Sequence, residues 1–229
     1  MDFEILNMTV EQIGKLVLQM VSVTSVTLKI FFITSIIAIP LGILVAKGRM
    51  NSHRIISSPI RFYQFIMRGT PLILQLMFFY YGPKYIALGF DIELTYGRLT
   101  AGLVAFVVNY AAYYGEIFRS GIESIDNGQY EAGKVLGYSK GQTFKFIVLP
   151  QVIKRILPTM GSEFMVLIKD TALISIISVT ELFEVAKKMS TTHVSVMPYI
   201  VAGIFYLVLN SVIEQVFIRL EKKLDYYKG

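Results

Sequence analysis

Five stretches of this chain are long enough and apolar enough to cross a bilayer, and they set its fold class. They run near 21–46, 62–82, 99–118, 159–180 and 197–218. A hydrocarbon core of roughly 30 Å takes about 20 residues of α-helix. In lipid every backbone N–H and C=O must be bonded inside the protein, so these stretches have to be helical. Of the 229 residues 54% are apolar and 17% charged, and mean hydropathy is +0.58, more than one soluble core of this size encloses. The expectation is an all-α membrane protein, one transmembrane domain over residues 1–229.

The second stretch is interrupted by Arg68, Gly69, Thr70 and Pro71. A broken helix is tolerated at membrane depth only where protein or a wet cavity covers the freed backbone groups, so the break points to a pathway. Orientation follows from the basic residues, which stay on the cytoplasmic side. Fourteen flank one set of helix ends, including Lys47, Arg49, Arg54, Arg61 and Arg119. Five flank the other: Lys15, Lys84, Arg98, Lys187 and Lys188. With Lys29, Arg68 and Lys169 inside spans, this accounts for all 22. The N-terminus is therefore expected outside, the C-terminus inside, and the segment 119–158 in the cytoplasm. The first 16 residues carry Asp2, Glu4 and Glu11 and lack the basic start and small-residue cleavage site of a signal peptide, so none is expected to be removed. The halves show no internal duplication, and five helices are few to enclose a polar path, which makes a dimer the natural completion.

Several functions are disfavoured. Cysteine is absent and there are two histidines, so no metal site is expected. The basic residues sit in short clusters between apolar runs, where anionic lipid explains them better than nucleic acid does. No Ser-His or His-carboxylate cluster suggests an intramembrane enzyme. Gly128-Gln129-Tyr130-Glu131-Ala132-Gly133-Lys134-Val135 fits G-x-x-x-x-G-K. Val135 replaces the hydroxyl that would hold Mg²⁺, Glu131 would face phosphates, and no strand precedes it, so it is not a phosphate loop.

The cytoplasmic segment is too long to be an unstructured connection. Asp126 with Gln129, and Ser139 with Gln142, have capping-box spacing, which starts two short helices separated by Gly137. Pro150 and Pro158 then punctuate the return to the membrane. Glu131-Ala132-Gly133, Gly137 and Ile147-Val148-Leu149-Pro150 resemble the EAA loop of permease subunits of ABC importers. Arg68-Gly69-Thr70-Pro71-Leu72, the stretch from Tyr113 to Ile122 and Lys169-Asp170-Thr171-Ala172-Leu173 are similar to motifs of the subgroup that imports polar amino acids. Departures from its usual pattern are Gly for Ala at Gly115 and Gly133, Ser120 for Gly and Ala172 for Ser.

The resemblance implies a multi-pass protein of the bacterial cytoplasmic membrane. It implies that Gly128, Gln129, Glu131, Ala132, Gly133, Leu136 and Gly137 dock a separate ATPase, which uses ATP and Mg²⁺ while this chain holds no cofactor. It also implies a second permease, identical or similar, and an extracytoplasmic binding protein that delivers an amino acid to the outer segments 84–98 and 181–197.

Ionisable groups inside a span cost a few kcal/mol each and mark a pathway or a pair. Glu163 and Asp170 are seven residues apart, two helical turns, hence on one face of the fourth span, with Ser162 beside them. Met67, Thr70 and Asn109 lie at similar nominal depth, and Arg68 is the nearest cation. Carboxylates with a cation or freed N–H groups match both ends of an amino acid, and two carboxylates favour a cationic one. Asp170 could instead pair with Arg68 or Lys169, and Glu116 with Arg119 reads as a helix-surface pair. The alternative function is an ion-coupled carrier in which Glu163, Asp170 or Glu116 takes the proton.

With no native cysteine, topology can be read without background. A cysteine replacing Ser52 is expected to resist an impermeant maleimide added outside cells, and one replacing Thr192 to react; the reverse pattern would invert the assignment.

Overall fold

The computed structural model describes residues 8–90 and 96–224. Readings that fall on Asp2, Glu4, Lys228 and the middle of the 84–98 segment lie outside those residues. Every regular element described is helical. In order they are α1 (Val10–Arg49), α2 (Arg54–Gly69), α3 (Leu72–Leu88), α4 (Arg98–Glu123), α5 (Asn127–Val135), α6 (Lys140–Thr143), α7 (Leu149–Asp170), α8 (Leu182–His193) and α9 (Met197–Leu224). A π-helical turn, Phe144–Val148, joins α6 to α7, and a 3₁₀ segment, Thr171–Ile177, continues α7. Among the described residues α1, α4 and α9 are long and apolar enough to span a membrane by length and composition.

At 40 residues α1 is about 60 Å long, well beyond the stretch 21–46. Thr9 and Gln12 start it with a reciprocal capping box. Its early part packs Leu16 and Met20 with Leu182, Val185 and Ala186 of α8. Its later part lies on α4 at a glycine crossing. A Cβ on Gly42 would stand 2.8 Å from the Tyr114 Cβ, and one on Gly115 would stand 2.5 Å from Val45. Without side chains at those points the two backbones approach closely, the usual means of helix association where lipid removes the hydrophobic drive. Around this crossing the core gathers Ile30, Phe31, Phe106, Tyr110, Tyr114, Leu167 and Ile168.

Two expected boundaries change. The second stretch is not one interrupted helix of 62–82. It is two helices, α2 and α3, with Thr70 and Pro71 both extended between them. Nor does the fourth helix begin at 159. α7 starts at Leu149 with Pro150 in its first turn, directly after a π turn, and it contains Pro158. The expected loop 119–158 thus includes the end of α4 and the start of α7. Because α6 enters α7 through the π turn, residues 140–177 form one unbroken helical rod that changes pitch three times.

Between α4 and that rod, α5 and α6 form a hairpin. Ser139 and Gln142 make the expected capping box, with Ser139 N–H donating to Gln142 Oε1 at 2.8 Å and Gln142 N–H to Ser139 Oγ at 3.3 Å. Asp126 caps α5 differently: its carboxylate accepts from Gly128 N–H, while Gln129 Oε1 accepts from Gln151. The end of α5 is a full Schellman motif, with Gly137 at φ +74°. Tyr138 N–H donates to Gly133 O and Gly137 N–H to Lys134 O. Gly133 is buried against α6, where a Cβ would stand 2.5 Å from both branches of Thr143.

Alanine raises helix propensity by up to about 1 kcal/mol over glycine, but overpacking a filled contact costs about 1–3 kcal/mol. Gly133→Ala is therefore expected to loosen the hairpin, read as faster amide exchange over residues 127–143. Adding Thr143→Ala should restore much of the protection.

Candidate functional site

Pro71 has no N–H, so it cannot bond the carbonyl of Met67 one turn earlier, and the extended backbone also leaves Thr70 O outside the α3 ladder. Two side-chain amides answer these groups. Asn109 Nδ2 of α4 donates to Met67 O at 3.0 Å, and Gln75 Nε2 of α3 donates to Met67 O at 3.0 Å and Thr70 O at 3.2 Å. The amides are themselves joined, Asn109 Nδ2 to Gln75 Oε1 at 2.9 Å, and Gln75 Nε2 also reaches Thr70 Oγ1 at 2.8 Å. Met67, Thr70 and Asn109 are thus brought together as expected. Asn109, 4% exposed, spends its donors on holding the break.

Gln75 was not anticipated. It is the one amide in the apolar run from Leu72 to Tyr81, and that isolation was the available signal.

Glu163 and Asp170 are both half-buried on α7 and lie close enough to sense each other's charge. Asp170 Oδ2 accepts from the Tyr110 hydroxyl at 2.8 Å. Its partner is therefore this tyrosine of α4, with neither Arg68 nor Lys169 in bonding contact. Glu163 makes no hydrogen bond or ion pair within 4 Å among the described residues, and Arg68 is a cation whose charge reaches it. Ser162 is exposed and returns its hydroxyl to Pro158 O at 3.2 Å, one turn back in its own helix.

Arg68 is half-exposed. Its guanidinium lies 5.6 Å from the Tyr113 ring centroid and 3.7 Å from Glu116. Arg119 grips Glu116 with a two-pronged fork, at 2.5 and 3.1 Å, and also pairs with Glu123. The expected surface pair is present, with Arg68 added from α2.

Next to this group lies an open cavity of about 580 Å³ between α4 and α7, bordered by Arg68, Glu116, Ser120, Ser124, Arg155 and Thr159. Arg155 also bonds Ser124 O, tying the start of α7 to the end of α4. The described residues contain no group of three or more His, Cys, Asp or Glu placed to hold a metal ion.

The residues expected to dock the ATPase lie in the hairpin. Gly128, Glu131, Ala132, Leu136 and Gly137 are exposed, Gln129 is half-buried and Gly133 is buried. Val135 is 87% exposed and Leu136 66%, with Tyr138 and Phe146 also outward. This apolar surface is left exposed among the described residues, and such patches mark interaction sites.

Comparison with known proteins agrees. The family described as binding-protein-dependent transport system inner membrane component matches residues 38–226. An arginine transport system permease protein, ArtQ of Bacillus subtilis (strain 168), is 36% identical over 201 residues, 87% of this chain and 90% of its own length. A nopaline transport system permease protein, NocM of Agrobacterium fabrum, is 36% identical over 194 residues, 82% and 80% of the two chains. A solved structure of an amino acid ABC transporter with histidines superposes with a TM-score of 0.83 at 30% identity, over 95% of this chain and 100% of that one.

Removing the brace tests its role. Asn109→Ala leaves Gln75 Oε1 without its donor and Met67 O with one bond, and a buried unpaired group costs about 1–3 kcal/mol. The variant should unfold at lower temperature in detergent, whereas Ser162→Ala, at an exposed self-bonded hydroxyl, should match the parent.

Proposed function

Because this chain belongs to the binding-protein-dependent transport system inner membrane components, we propose that it is the permease subunit of an ATP-driven importer of polar amino acids, with a cationic one the best fit. It works by alternating access. The observation that carries this reading is the helical rod from Lys140 to Ile177. One end belongs to the hairpin that exposes Val135, Leu136 and Tyr138, and Glu163 and Asp170 lie along it. A motor that grips the hairpin therefore pulls on the element that holds both carboxylates.

The substrate class follows from charge. Glu163 lies two turns from Asp170 with no hydrogen-bonding partner among the described residues, and two carboxylates favour a ligand with two cationic groups. Arg68, at the end of α2, complements its carboxylate. Substrate contacts are assigned to Glu163, Asp170, Arg68, Thr70, Met67 and Ser162, with Asn109 holding the break that presents them. The relative named for arginine supports the same direction.

A second permease, identical or similar, closes the path, since lipid cannot solvate the face bearing Arg68, Glu116, Arg155 and Thr159. The outer end meets the binding protein. There Lys84 sits 4.0 Å over the Tyr80 ring, and Arg98 Nε donates to the Tyr80 hydroxyl at 3.3 Å. The ATPase, carrying ATP and Mg²⁺, docks on the hairpin and its closure moves the rod, while bound substrate biases the two states only through unequal affinity for them. The orientation puts the hairpin in the cytoplasm of a bacterial cell.

Two variants separate the parts of the proposal. With ATPase and binding protein present, Leu136→Asp should assemble poorly with the ATPase and abolish substrate-stimulated hydrolysis. Glu163→Gln should assemble normally yet lose binding of a basic amino acid in a direct titration. Full binding by the Glu163 variant would remove that residue from the site and leave the coupling reading intact.

A further inference from the structure

A cationic recess of about 330 Å³ lies between the end of α1 and the length of α2, and the transport reading uses only its Arg68 and Glu116. Its lining is Arg49, Arg61, Gln64, Phe65, Arg68 and Glu116, with the backbone of Gly69. Three guanidinium groups face one carboxylate, and Arg119 has already forked both oxygens of that carboxylate. Arg49 also lies within electrostatic reach of Arg61 and Arg119, so like charges are gathered at the same place.

Two buried polar atoms here lack a hydrogen bond, Arg49 Nη1 and Gln64 Oε1. Gln64 Nε2, in contrast, is used, donating to Ala112 O at 3.3 Å. A buried donor on a charged group is costly to leave unpaired. What satisfies Arg49 Nη1 is an anion with several acceptor oxygens, and the arginine fork matches phosphate geometry, whereas Gln64 Oε1, itself an acceptor, takes no part in holding it.

Beside the recess α2 presents an apolar stripe to the outside. Ile55, Phe62 and Phe65 are 90%, 65% and 75% exposed, and Phe65 belongs both to the stripe and to the lining. A free phosphate or a protein carboxylate has no use for the stripe, whereas an acyl chain does. We infer that the α1–α2 turn holds the headgroup of an anionic phospholipid, its phosphate between Arg49 and Arg61 and its chains along α2. The inference needs only that the chain resides in a membrane and is independent of substrate and ATPase assignments.

The test is a titration of phosphatidylglycerol onto the delipidated, detergent-purified intact transporter, followed by native mass spectrometry, with phosphatidylcholine and inorganic phosphate as parallel arms. One phosphatidylglycerol per permease should be retained in preference to phosphatidylcholine, and millimolar phosphate should not displace it. Arg49→Gln with Arg61→Gln should weaken retention about thirtyfold, and the double lysine variant much less. If the double variant does not elute like the parent, Arg61→Gln alone should still weaken retention about fivefold. Equal retention by parent and glutamine variants would overturn the site, and displacement by inorganic phosphate would overturn the lipid as its occupant.

Discussion

Satisfying a broken helix without water is the constraint on which the rest of this molecule depends. Hydrocarbon offers no partner to a freed carbonyl, so the interruption at Thr70 and Pro71 persists only because the protein supplies its own donors. Asn109 and Gln75 do so, and in bonding each other they lock α2, α3 and α4 into one arrangement. An unmet buried group costs about 1–3 kcal/mol, so these bonds outweigh any single contact that Arg68 makes in solvent. With the break fixed, Arg68 is delivered toward Glu116 and Tyr113, where its charge meets the cavity between α4 and α7.

Two further features convert that fixed site into something that can be driven. The glycine crossing of α1 and α4 brings two backbones together, so this pair can act as a frame. The rod from Lys140 to Ile177, by contrast, joins the hairpin directly to the carboxylates of α7. Its π turn adds an extra residue just ahead of Pro150, where proline would otherwise interrupt the ladder. Force on the hairpin therefore travels along a helix, with no loop to absorb it.

Legibility differed from element to element for physical reasons. The break was readable because proline lacks an N–H wherever it stands. Ser139 with Gln142 was readable because a capping box closes within four residues. Asp126 with Gln129 was read only in part, since Gln151, 22 residues away, offers Gln129 a competing bond. Pro150 and Pro158 punctuate the return to the membrane in sequence, yet both lie within α7, so the fourth helix begins ten residues before 159. The partner of Asp170 could not be read at all: Tyr110 is 60 residues distant, in an aromatic stretch with nothing to single it out.

Amino-acid order alone determined the class of this protein, its break, its hairpin caps and its family, because those follow from local backbone bonding, apolar length and short motifs. Tertiary structure decided which groups are spent and which are free. It committed Asn109 to the break, set Gly133 against Thr143, left Glu163 without a hydrogen bond among the described residues and gathered Arg49, Arg61 and Arg68 around one occupied carboxylate. Those outcomes depend on side chains from helices far apart in sequence meeting at one depth, and no spacing along the chain specifies that meeting.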